Sequence, residues 1–112
     1  LVEAIIRERL GDQGYGQVNM HDVVSGVCGI FSVSQEEMVG QSRRKNIAEA
    51  RQVAAYMARE VLDMPLSEIG VHLGGRDHTT IMHAHKKVSE LLKKDDKFKR
   101  RVDIIYNELN LS

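Results

Sequence analysis

The sequence predicts an all-α domain, a compact helical bundle containing a helix-turn-helix. Three observations carry that fold class. Apolar residues recur at helical spacing along most of the chain, and no alternating strand pattern is present. Gly74-Gly75-Arg76-Asp77 breaks the chain between a short helical stretch, Leu66 to Leu73, and a long one that begins at His78. Asp77 is a good helix cap, so the break is followed at once by a new helix start.

In chain order, Val2, Ile5 and Ile6 lie on one face of a helix that stops at Gly11, with Gly14 and Gly16 making a turn. Asn19 caps a second helix to about Ile30, cored by Val23, Val24 and Val27. Ser34 with Glu37 forms a capping box for a short third helix that ends at Gly40. A basic loop follows, Gln41-Ser42-Arg43-Arg44-Lys45. Asn46 with Glu49 is the predicted start of the strongest helix, with Ile47, Ala50, Val53, Ala54, Met57, Ala58, Val61 and Leu62 on its inner face. Pro65 stops it. The helix-turn-helix then comprises a short helix at about 67–73 and a recognition helix at about 78–95, cored by Ile81, Ala84, Val88 and Leu91. Asp96 is the predicted cap of a last helix carrying Phe98, Val102, Ile105 and Leu109 inward.

The 112 residues suffice for one modest core, and 42% hydrophobic with 29% charged residues describes an ordered globular domain. No apolar run approaches the roughly 20 residues of a membrane span. Cys28 has no partner for an internal disulfide and reads as a buried, inert thiol, in keeping with a reducing cytoplasm. The formal net charge is zero but is segregated. Residues 1–40 hold two basic and six acidic groups, and residues 41–112 hold fourteen and ten. A local positive field of this kind binds phosphates whatever the global sum.

Helix-turn-helix proteins present base-reading side chains on the first turn of the second helix, which here carries His78, Thr79 and Thr80. His78 and Thr79 offer a ring edge and a methyl with a hydroxyl, which suit thymine methyls and mixed base edges. Asp77 can cap the helix and turn its second oxygen to a cytosine amino group. Thr80 can donate to a phosphate oxygen, and Lys86 and Lys87 suit phosphate contacts. Arg43 sits on a basic loop that can enter a narrow, A·T-rich minor groove. Arg51 and Arg59, eight residues apart, share a helix face and can follow a DNA backbone. The five histidines and the cysteine match no zinc spacing, and neither a hydrolytic triad nor a Gly-rich phosphate loop is present. The chain is expected to be no enzyme and to hold no metal or cofactor.

The run Gly74-Gly75-Arg76-Asp77-His78-Thr79-Thr80-Ile81-Met82-His83-Ala84 is very similar to the signature of the bacterial chromosomal replication initiator family, DnaA. The similarity extends to Leu66–Gly70, to Ala50-Arg51-Gln52 and to the basic loop, about residues 19–110. The chain resembles that family's C-terminal DNA-binding domain, at residues 17–112. Residues 1–16 resemble the connector helix and hinge that lead from an ATPase module, which this sequence lacks along with its ATP. The resemblance implies binding of double-stranded DNA at short, asymmetric, A·T-leaning boxes of a replication origin. It assigns minor-groove reading to Arg43, and major-groove reading to Asp77, His78 and Thr79. It places Thr80 on phosphate, and Arg51, Arg59, Leu66, Ser67 and Arg76 along the DNA backbone.

The family is also linked to acidic phospholipids through the region matching residues 1–10. There Arg7 and Arg9 stand beside Glu3 and Glu8, a pattern closer to a plain hinge. Ser67 stands where the family often has proline, Glu49 where it is often basic, and Gln41-Ser42 thin a loop that is usually more cationic. The first departure bears on one van der Waals base contact, and the other two predict weaker salt-dependent binding without changing what is read. The resemblance implies a monomer in the bacterial cytoplasm, at the nucleoid. Two other functions fit a helix-turn-helix: a free-standing transcriptional regulator that dimerises on a palindrome, and a protein-interaction module that keeps the fold without DNA binding.

Overall fold

The computed structural model describes residues 18–111. The connector and hinge at 1–16, with the phospholipid contact expected there, lie outside the described residues. Six helices follow one another: α1 (Met20–Phe31), α2 (Gln35–Val39), α3 (Lys45–Leu62), α4 (Leu66–His72), α5 (His78–Lys94) and α6 (Asp96–Glu108). There is no strand among the described residues, as the missing alternation requires.

Local chemistry sets most of the helix ends. Asn19 Oδ1 accepts from Asp22 N–H at 2.9 Å while Asp22 Oδ2 accepts from Asn19 N–H at 3.0 Å, a reciprocal capping box. Ser34 and Glu37 do the same for α2, at 3.0 and 2.9 Å. Two predicted caps are corrected. α3 begins a residue before Asn46, with Arg44 as its cap residue and no side chain bonded to its first turn. The Ala48 N–H reaches Arg44 O at 2.8 Å, so Asn46 is already helical. α6 is capped by Asp95, whose Oδ1 accepts from Phe98 N–H at 3.0 Å, and Asp96 is its first helical residue. Asp95 also donates its own N–H to Leu91 O at 2.8 Å. One residue thus closes α5 and opens α6, which makes the corner sharp.

α3 is the central strut and packs against α1, α2, α4 and α5. Ala50, Ala54, Ala55 and Ala58 are all fully buried, and their small side chains let the neighbouring helices come close. Val53 and Met57 fill the space between, with Phe31, Met38, Ile69, Leu73, Ile81, Val88 and Ile105 arriving from the other helices. Each of the larger side chains stabilises the fold by about 1.5–3 kcal/mol on burial. Along the outer edge of the α3–α5 seam, His85 Nε2 meets Glu60 Oε2 at 2.8 Å and its ring stacks on Tyr56 at 4.9 Å. Several residues assigned inward are only half-buried: Val24, Val61, Leu62, Ala84, Leu91 and Leu109. Cys28 is likewise half-buried, and burial with the nearby Glu37 charge pushes its thiol up, which keeps it protonated and unreactive.

α4 and α5 are joined through the carbonyl oxygen of Gly70. It accepts from the N–H groups of Leu73 at 3.2 Å, Gly75 at 2.9 Å and Arg76 at 2.9 Å. A Cβ on Gly70 would collide with the main-chain oxygen of Arg76. Gly75 has φ +79° but open space around it. Gly70→Ala should therefore destabilise the domain by about 3 kcal/mol, the upper end for forced overpacking. Gly75→Ala should cost about 1 kcal/mol, from its left-handed backbone alone. Urea unfolding of the two variants checks the order.

Candidate nucleic-acid interface

The turn delivers the first turn of α5 to the surface. Asp77 adopts extended backbone and its Oδ1 accepts from Thr80 N–H at 2.8 Å. The Thr80 amide, then the Thr80 hydroxyl, hold the Asp77 carboxyl below its ordinary value, and His78 and Thr79 add smaller contributions. Asp77, His78, Thr79 and Thr80 are all exposed. Apart from the cap they present free edges to whatever lies against the helix start.

Behind this turn, a groove of about 280 Å³ runs between α3 and α5. Its polar lining is Arg51, Gln52, Arg76, Thr80, His83 and Lys87, over a floor that includes Ala48, Ala55, Ile81 and Ala84. A shallower depression of about 410 Å³ continues along α5, bordered by His83, Lys86, Lys87, Glu90 and Lys94. Thr80, Arg51, Arg76, Lys86 and Lys87 are thereby brought onto one continuous, mainly cationic flank. Gln52 belongs there as well, and its buried Oε1 has no hydrogen-bond partner among the described residues. Reading the sequence by residue type passed over Gln52 as a groove residue. Its signal was its position, one residue after Arg51.

Three arginines assigned to DNA contact already hold protein carbonyls. Arg51 donates from Nε to Met38 O and from Nη2 to Glu37 O, both at 2.9 Å. Arg76 donates from Nη1 to Leu73 O and from Nη2 to Gly40 O, the latter at 2.6 Å. The oxygens at 37, 38 and 40 belong to the C-terminal end of α2 and the residue after it, where the helix dipole favours cations. That field lets two guanidiniums sit close together, although burial, and then Arg76, lower the Arg51 value. Each arginine keeps N–H donors to spare. Arg59 is farther along α3, with Nη1 on Met64 O at 3.2 Å and on Asp63 at 3.5 Å. Neither it nor Leu66 nor Ser67 lines the groove. Leu66 is half-buried and Ser67 exposed at the start of α4.

Arg43 is exposed on the loop between α2 and α3. Within that loop Arg44 N–H donates to Ser42 Oγ at 3.3 Å. No helix among the described residues is long and apolar enough to cross a membrane, and no group of three His, Cys, Asp or Glu side chains there is arranged to hold a metal ion. Residues 20–88, more than half of the chain, match the family model described as the bacterial dnaA protein helix-turn-helix. The matched span runs from the start of α1 to Val88 in α5 and so contains the turn and the groove.

The Asp77 carboxyl is lowered, so its capping contribution is present above the unfolded carboxylate value and is lost as pH falls through the folded one. Asp77→Asn keeps a capping oxygen but no titration. The melting temperature of the wild type should therefore fall more steeply than that of Asp77→Asn as pH is lowered through the acidic range, measured by circular dichroism. Parallel curves would remove the carboxylate cap from the account.

Proposed function

The chain belongs to the bacterial DnaA helix-turn-helix family, and from that premise we propose that it binds double-stranded DNA at short asymmetric boxes and anchors a replication initiator at its origin. The observation that carries this is the joining of four exposed side chains, Asp77 to Thr80, to the cationic flank formed by α3 and α5. A helix start laid in the major groove puts His78 and Thr79 against base edges, with Asp77 turned to a cytosine amino group. Lys86 and Lys87 then follow the adjoining phosphates, Thr80 holds one more, and Leu66 and Ser67 meet the strand at the start of α4. Arg43 enters the neighbouring minor groove.

The chemistry of initiation, including ATP use, belongs on this reading to a separate module, and this domain supplies the address. It acts as a monomer on each box, in the cytoplasm at the nucleoid. A symmetric regulator would instead need a second copy to read a palindrome.

Fluorescence anisotropy on a box duplex and a scrambled duplex, across a salt series, tests this. The box should be preferred by ~10³-fold or more with one domain per site. Equal weak binding to both overturns the proposal. Within the same assay, Thr79→Ala or His78→Ala should reduce box affinity by roughly 10-fold to 100-fold, the 1–3 kcal/mol of one base contact, and spare the scrambled duplex. Lys87→Ala should instead weaken both duplexes equally and lower the salt slope by about 0.9.

A further inference from the structure

Arg76 ties the helix-turn-helix to the segment leading into the loop of Arg43. It donates to Leu73 O at the end of α4 and to Gly40 O, 36 residues away in sequence. The turn lies on the same segment through its backbone. Gly74 has φ +91°, and a Cβ there would run into Val39 O and stand 2.7 Å from Arg76 Nη1. From the opposite side Arg51 holds Glu37 O and Met38 O. The end of α2 is thus gripped by two guanidiniums, one from α3 and one from the turn before α5.

We propose that Arg76 is a positioning residue, which fixes the Arg43 loop at a set offset from α5 so that one box is read in both grooves at once. This rests on the DNA-binding function proposed above. Arg43 is three residues beyond Gly40, at most ~10 Å of chain. Movement of Gly40 therefore carries over to Arg43 with little slack. The minor groove is only about 6 Å wide, so a loop displaced by a few ångströms no longer finds it. Gly40 is half-buried and anchored, while Gln41, Arg43 and Arg44 are exposed. The anchor at Gly40 is what relates that loop to α5.

Lysine at this position keeps the charge but cannot span two carbonyls with one planar fork. Arg76→Lys, with Arg76→Gln as a second variant, separates positioning from phosphate contact. Both are made in the full 112-residue chain and kept for assay only if they melt cooperatively with wild-type helix content. Without DNA, ¹⁵N relaxation should show the amides of 41–44 becoming mobile in both variants, with those of α3 and α5 unchanged. Loop amides as ordered as in the wild type overturn the proposal.

With DNA, the probe is a box in which diaminopurine replaces adenine in the A·T segment, adding an amino group to the minor groove only. The wild type should lose at least 10-fold on the substituted box. Arg76→Lys should already be about 10-fold weaker on the plain box, indifferent to the substitution, and no worse when combined with Arg43→Ala. Its binding to scrambled duplex and its salt slope should stay at wild-type values. Equal weakening of both variants on both duplexes, with a slope lower by about 0.9 in Arg76→Gln, makes Arg76 a phosphate clamp and overturns the proposal. A wild type without box preference overturns the DNA-binding function itself, and the relaxation data then decide the loop anchor alone.

Discussion

The carbonyl oxygen of Gly70 is the constraint on which the rest of the domain depends. A helix normally ends with its last carbonyls facing solvent or a single cap. Here one oxygen gathers the N–H groups of Leu73, Gly75 and Arg76, so the chain reverses tightly around it. That reversal is available only because residue 70 has no Cβ to meet the Arg76 oxygen. Ile69, Leu73 and Ile81 are buried at the crossing, so hydrophobic packing and the polar turn enforce the same angle. The direction of α5 follows, and with it the side of the domain on which residues 77–80 emerge.

A domain of zero net charge acquires a cationic flank by spending its arginines and lysines differently. Arg51 and Arg76 are half-buried and fixed on carbonyls at the C-terminal ends of short helices, where partial negative charge compensates them. They add potential to the groove without offering long, freely rotating side chains. Lys86, Lys87 and Lys94 are exposed on α5 and keep their rotational freedom. The fixed charges shape the field, and the mobile ones can adjust to a ligand. Acidic residues at 22, 36 and 37 serve at helix starts in the other half of the chain, where they complement the positive ends of helix dipoles.

Much of this was legible in the sequence because it is local. The boxes at Asn19/Asp22 and Ser34/Glu37, the stop before Pro65, the Gly-Gly turn and the Asp77 cap each depend on residues within four positions of one another. One misplaced cap arose where adjacent residues both qualify, Asp95 and Asp96, and the other because α3 starts after Arg44 with no side-chain cap at all. The clamp arginines were illegible for another reason. Nothing near residues 51 or 76 announces a bond to carbonyls 13 to 36 positions away. The sequence shows the charge of such a residue but not the carbonyls at the end of α2 that it also holds. The half-burial of Ala84 has the same origin, since it lies on the wall of a groove that periodicity cannot show.

The contact between the turn and the end of α2 also bears on why a monomer could read an asymmetric site. Dimeric helix-turn-helix proteins secure their second point of contact from symmetry, since the partner copy repeats the first at a fixed spacing. A monomer has no such source. Its second contact must come from another part of the same chain, and it adds specificity only if its distance from the recognition helix is set before binding. A freely moving loop would have to be ordered on the DNA, and its entropy would be subtracted from the contact it makes. In this domain the offset is set by main-chain carbonyls held by guanidiniums, contacts that do not depend on the side chains of the loop itself. The composition of that loop can then change while Arg43 keeps its place.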